Sequence, residues 1–168
     1  LADVTIRDLL INTLRMRPDR IIVGECRSVE AADMLQAMNV GHEGVLCTMH
    51  ANSAREGLQR LETLVMSAGV DLPLRAVRST ITLAIDLVVF MARLADGTRR
   101  VAQVTEVTGL EVENITLADL FLLDSRKGAG GQVFALKPTG ALPRFYDQLR
   151  KQGMEPPLDF FQAEGPAA

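Results

Sequence analysis

Two short apolar runs, each held between amphipathic helical patterns, constrain this chain more than any other feature. Residues 20–23 read as a buried strand, because β-branched Ile21, Ile22 and Val23 follow one another and Gly24 closes the run. Residues 45–49 read as a second strand. Around them apolar residues return every three or four positions: Ile6, Leu9, Leu10 and Leu14, then Ala31, Met34, Leu35 and Met38, then Leu58, Leu61 and Val65. Strands separated by helices pair in parallel through crossovers, with the helices on the sheet faces. The expected fold class is α/β with a parallel sheet.

Helix ends are also marked. Thr5 to Asp8 has the spacing of a capping box with Asp for the usual acid, and Ser53 to Glu56 has the usual one. Ser28 is the expected N-cap of the second helix, with Glu30 in its first turn near the positive end of the dipole. Pro18 ends the first helix, Gly41 the second and Gly69 the third. A fourth opens at residues 71–73, with Pro73 near its first position, where no N–H is needed. Past Asp86 the period changes. Residues 87–94 and 99–108 flank Asp96 and Gly97, a hairpin signal, and residues 116–123 are the expected third strand. The Gly-rich stretch 127–131 reads as a boundary between a core of residues 1–124 and an extension of residues 125–168. The extension carries a short strand (133–136), a helix (144–152) and an end, from Pro156 and Pro157 to the last four residues, expected to fray.

Composition narrows the function. With 48% hydrophobic and 23% charged residues, the 168-residue chain can build a core. Its net charge of -3 lacks the basic excess of a bulk nucleic-acid binder, so no nucleic-acid partner is expected. No apolar run reaches the roughly 18 residues of a membrane helix; the most apolar stretch, 81–94, is broken by Asp86 and Arg93. Two cysteines, Cys26 and Cys47, make no disulfide framework and fit a reducing compartment. The lysines are Lys127, Lys137 and Lys151, and none follows a glycine. A phosphate-binding P-loop needs Gly-Lys-Ser/Thr, so this chain has none. It opens at Leu1, apparently inside a helix pattern, and is expected to be cut from something longer.

The first chemical candidate is Glu25, the acid that ends the first strand. Ligands of open α/β sheets bind at the carboxyl ends of strands. A carboxylate there can orient or deprotonate the water that attacks a γ-phosphate. A strand that merely reaches solvent ends the same way. Thr48 and His50 are two apart and share one strand face. The two histidines of the chain, His42 and His50, are both expected near the sheet edge that carries Glu25. Together these groups suit the sensing of a phosphate. A zinc site from Cys26, His42, Cys47 and His50 has suitable residue types but no Cys-x-x-Cys or His-x-x-x-His spacing, so no metal is assigned. Arg15, Arg17, Arg20 and Arg27 flank the first strand, where arginines clamp phosphates, bridge subunits or simply form solvated ion pairs.

Taken together these segments resemble the type II/type IV secretion ATPase superfamily. The stretch from Leu14 to Arg27 is similar to its Walker B region, with Gly24 where an Asp is usual before Glu25. Gly41 to Gly44, followed by Thr48 to Asn52, is similar to its histidine box. Segments 6–14, 69–76, 115–121 and 138–153 look like the CpaF-type ATPase of tight-adherence (Flp) pilus assembly, so the likeness covers nearly the whole chain. It implies the C-terminal part of a RecA-like P-loop ATPase core with parallel strands, then an antiparallel hairpin and a small extension. It implies a motor that hydrolyses ATP with Mg2+, works as a homo-oligomeric ring, usually a hexamer, and drives pilus assembly or protein secretion. Its implied place is the cytoplasm, held peripherally at the inner membrane by platform proteins. Glu25 would be the catalytic carboxylate. His42, Thr48 and His50 would sense nucleotide, and Arg27, Arg17 and Arg20 would contact phosphate or a subunit. The family's Walker A loop and Asp box have no counterpart here, so this segment alone is expected to be inactive. Two other readings remain: a non-hydrolysing ring or partner-binding module derived from such an ATPase, and an unrelated α/β enzyme using Glu25 and the histidines for metal-assisted hydrolysis.

Overall fold

The computed structural model describes residues 3–42, 44–128 and 131–163, with the backbone alone at 127, 128, 131 and 132. Glu43, part of the Gly-rich stretch and the last four residues lie outside the described residues. The elements are α1 (Ile6–Leu14), β1 (Ile21–Val23), α2 (Glu30–Asn39), β2 (Val45–Cys47), α3 (Ala54–Ser67), α4 (Leu74–Ala84), β3 (Leu87–Arg93), β4 (Arg99–Glu111), β5 (Asn114–Gly128), β6 (Gly131–Pro138), α5 (Tyr146–Lys151) and a 3-10 turn (Leu158–Phe161). They fall into two compact units: Leu1–Ile85 with Gly109–Ile115, and Asp86–Thr108 with Thr116–Ala168. Among the described residues no helix is long and apolar enough to cross a membrane.

In the first unit β1 and β2 pair in parallel, with Ile21 opposite Val45 and Val23 opposite Cys47. Ile21 and Val23 are buried while Ile22 and its partner Leu46 are exposed, so one face of this sheet is bare among the described residues. The strand expected over 45–49 stops at Cys47. Helices α2, α3 and α4 pack on one another and α1 packs on α2. Met34 and Leu35 from α2, Leu58 and Leu61 from α3, and Val77 and Ile81 from α4 form the core. Of the stripe expected on α1 only Leu10 is buried; Ile6 and Leu9 lie about half exposed, because periodicity records an apolar face and not its partner. Arg78 of α4 clamps Glu62 of α3 with two hydrogen bonds of 3.0 and 3.1 Å, and donates a third, of 2.6 Å, to the Glu113 carbonyl.

Caps follow the sequence in part. Thr5 closes a complete capping box with Asp8. Ser53 accepts from the Glu56 N–H at 3.1 Å, but the Glu56 carboxylate takes Asn52 Nδ2 at 2.9 Å rather than completing its box. Ser28 is not the cap of α2. Val29 holds that position, and Glu30 reaches back so that its Oε1 accepts the N–H groups of Arg27 (2.6 Å) and Ser28 (3.0 Å). A buried carboxylate thus replaces the hydroxyl. Pro73 is the N-cap of α4, not its first residue: its ψ of 147° is extended, and its carbonyl accepts from Ala76 and Val77.

The second unit is built on an antiparallel sheet in the order β3-β4-β5-β6. Gly97, at φ +83°, turns the β3–β4 hairpin as the Asp-Gly signal predicts. The strand expected over 116–123 is longer, and the short strand at 133–136 is its partner β6, paired from Phe121 opposite Pro138 to Gly128 opposite Gly131. The Gly-rich stretch therefore lies between two strands of one sheet. The helix expected over 144–152 starts later, at Tyr146, and the Arg144 N–H before it is taken by Glu106 Oε1 at 2.8 Å. The tail folds back on aromatic contacts. Phe121 stacks against Phe160 at 5.2 Å and Phe161 against Tyr146 at 5.9 Å, and Tyr146 Oη donates to the Pro156 carbonyl at 2.8 Å. The Pro156–Pro157 segment expected to fray is held by that bond.

Candidate active site at the strand ends

Parallel pairing sorts the predicted site residues by sheet edge. Glu25 follows the carboxyl end of β1, and Thr48 and His50 follow that of β2. His42 precedes β2, beside Gly44, whose carbonyl accepts the Ile21 N–H at 3.1 Å at the start of β1. Arg17 and Arg20 precede β1. The structure therefore brings Glu25, Arg27, Thr48 and His50 together and leaves His42, Arg17 and Arg20 at the opposite end. The expectation that both histidines share the Glu25 edge fails, because nearness in sequence says nothing about which end of a strand a loop serves. Arg17 is exposed and sits at φ +52°, an unusual conformation for a non-glycine residue.

The loop that carries Glu25 is pinned from both sides. Thr48 Oγ1 donates to the Gly24 carbonyl at 2.7 Å, and the Thr48 carbonyl accepts the Cys26 N–H at 2.8 Å. Beyond them Glu30 gathers the next two N–H groups. Burial pushes the Glu30 carboxyl up, but the N–H groups of Arg27, Glu30 itself and Ser28 outweigh it and hold it below the usual range. Cys26 is fully buried, and that burial, helped by Cys47 and Glu30 nearby, lifts its thiol to about 12. Cys47 is also raised by burial. Both are therefore thiols at neutral pH, poor as nucleophiles and as metal ligands without prior deprotonation.

Within this frame Glu25 has two unlike oxygens. Oε2 accepts from the Arg27 guanidinium. Oε1 is buried and accepts no hydrogen bond, although His50 Nε2 lies 3.1 Å away. The Arg27 hydrogen bond holds the Glu25 carboxyl below its ordinary value against the upward push of burial, with the charges of Arg27, His50 and Arg60 acting in the same direction as that bond. The carboxylate form of Glu25 is thus favoured further, and its Oε1 faces His50 Nε2. The His50 side chain is 82% exposed and forms one wall of a recess of about 510 Å³, completed by Ala51, Asn52, Glu56, Gln59 and Arg60. Gln59 and Arg60 were not singled out from the sequence, while Asn52 entered only at the end of the histidine-box likeness and Glu56 only as a capping acid. The available signal was that Asn52, Glu56 and Arg60 recur at four-residue spacing on one face.

The sequence model of the Type II/IV secretion system protein family matches residues 1–118. A putative conjugal transfer protein of Mycobacterium tuberculosis is 42% identical over 104 residues, covering 62% of this chain and 29% of that protein. The conjugal transfer protein TrbB of Rhizobium radiobacter is 44% identical over 101 residues, 60% of this chain and 30% of its own length. The type IV secretion system protein PtlH of Bordetella pertussis is 42% identical over 102 residues, 59% and 30% respectively. The chain thus spans under a third of the length of these curated relatives. Among solved structures, the VirB11 ATPase from the Brucella suis type IV secretion system, in complex with sulphate, aligns with a TM-score of 0.57 and 35% identity over 60% of this chain and 31% of that one. The sheet edge described above lies inside the matched span, and with the family model covering residues 1–118 the chain belongs to the type II/IV secretion system protein family.

Proposed function

We propose that this chain is the part of an ATP-hydrolysing secretion or pilus-assembly motor that supplies its catalytic carboxylate. The observation that carries the reading is the buried Oε1 of Glu25, facing His50 Nε2 at 3.1 Å, at the strand ends where ligands of α/β sheets bind. Such an oxygen can orient the attacking water and take its proton. Glu25 corresponds to the Walker B acid and His50 to the histidine box. His50, beside Oε1, would register the terminal phosphate. The Thr48 hydroxyl is committed to Gly24, so Thr48 positions the Glu25 loop rather than touching phosphate. Arg27 keeps the Glu25 carboxyl low. His42, Arg17 and Arg20, at the far edge, are placed for a neighbouring subunit of a ring, with six copies as the family-like number.

The described residues offer Mg2+–ATP the Glu25 carboxylate and no phosphate loop. They do not hold the ion by themselves, and no step is derived through it. The P-loop would come from a segment outside this sequence. The names of the relatives place them in conjugal transfer and type IV secretion, and the residue likeness to the CpaF type supports pilus assembly as the variant of that work. Cytoplasmic placement against inner-membrane platform proteins belongs to the same reading.

Replacing Glu25 by Gln in the complete protein that contains this chain tests it. ATP turnover should fall by about 100-fold or more, with ATP binding retained. Turnover that survives the change would remove Glu25 from the chemistry. A second reading is a non-hydrolysing ring or docking module, in which Glu25 and His50 hold the strand ends without chemistry. A complete protein that forms rings yet hydrolyses no ATP would establish it.

A further inference from the structure

Arg60 makes no hydrogen bond or ion pair among the described residues, although its charge helps hold the Glu25 carboxyl low. It follows Glu56 by four residues on α3, and a Glu placed four residues before a basic residue is the favoured order for a helical ion pair. Glu56 is engaged elsewhere: its Oε2 accepts from Asn52 Nδ2 at 2.9 Å, at the helix entrance. The Arg60 side chain lines the recess of about 510 Å³ together with His50 and Gln59. That recess adjoins Glu25, because the histidine that walls it has its Nε2 3.1 Å from Glu25 Oε1. A guanidinium offers five donors in a fixed plane suited to two oxygens at once, and here none of them is used.

We propose that Arg60 receives the terminal phosphate of a nucleoside triphosphate in this recess, and that the Asn52–Glu56 hydrogen bond keeps it available by holding Glu56 away. The inference rests on the ATPase reading and adds a phosphate-binding residue to it. Asn52 acts through Glu56 and is a positioning residue. Were the Asn52 amide lost, the Glu56 carboxylate would be free to swing one helical turn and neutralise Arg60. The recess would keep its shape and lose its charge.

The test is equilibrium binding of a non-hydrolysable ATP analogue, with ADP alongside, by the complete protein. Arg60→Ala should weaken the analogue by about 10- to 100-fold, the worth of a charge-assisted hydrogen bond, and leave ADP within about twofold. Arg60→Lys should fall between. Asn52→Ala should weaken the analogue in the same direction, and Glu56→Gln in that background should restore it, a rescue that a merely structural role would not produce. Equal losses for analogue and ADP, or none for either, overturn the assignment of Arg60. An Asn52→Ala defect that Glu56→Gln leaves uncorrected overturns the latch. A wild-type protein that binds neither nucleotide removes the ATPase reading itself, and this inference with it.

Discussion

Glu25 owes its lowered carboxyl to one neighbour above the others. The Arg27 hydrogen bond lowers its carboxyl against the upward push of burial. Proton transfer from water needs the carboxylate, so the acidic limb of kcat/KM marks where Glu25 becomes protonated. Without Arg27 that protonation moves to higher pH. The acidic limb of the complete protein should therefore shift upward in Arg27→Ala and stay close to wild type in Arg27→Lys; a limb that does not move assigns it to another group. At this scale Glu25 and His50 were legible as polar residues just past apolar runs. Arg60 was not, because a Glu followed four residues later by an Arg reads as an ordinary solvated pair, and only the Asn52 amide that captures Glu56 shows otherwise. His42 was misplaced because residue type carries no information about strand direction.

Each element's ends tell more than its middle. The first turn of α2 depends on Glu30, whose Oε1 serves two backbone N–H groups. Glu30→Gln weakens both bonds and should destabilise the fold by about 1–3 kcal/mol in urea titration. The sign with pH follows from the lowered carboxyl. The stabilisation is full above 4.5, the ordinary value, and is lost as pH falls through the lower folded value. Wild type should therefore lose more stability on acidification than the Gln variant. Gly44 is a different constraint. A Cβ there would meet the Asp19 carbonyl oxygen at 2.4 Å, so the parallel pairing of β1 with β2 needs a bare backbone at that point. Gly44→Ala should destabilise by about 1–3 kcal/mol, read as an earlier thermal midpoint. The caps at Thr5 and Ser53 were legible because a hydroxyl three residues before an acid has a local meaning. The cap of α2 was not, because a buried carboxylate reaching back competes with the nearer Ser28, and spacing does not rank the two.

The whole chain contains the strand-end edge that bears Glu25 but no Gly-Lys pair. The isolated 168-residue protein should release no phosphate from Mg2+–ATP above background, by a coupled phosphate assay; measurable Mg2+-dependent turnover would show that a phosphate loop is not needed. Its α/β class was legible from two apolar runs among helical periods. The glycines at 127–131 look like a linker in sequence, yet β5 and β6 pair on either side of them, to Gly128 opposite Gly131. A short Gly-rich stretch reads the same in sequence whether it links units or joins two strands of a hairpin. The brevity of β1 and β2 has its own consequence. Each is three residues long, so roughly 10 Å of hydrogen-bonded backbone separates the end bearing Arg20 from the end bearing Glu25. Backbone of that length hardly stretches. In the ring supposed by the proposed function, a push on the Arg20 end of this short strand pair would be carried along it toward the Glu25 end of the same chain.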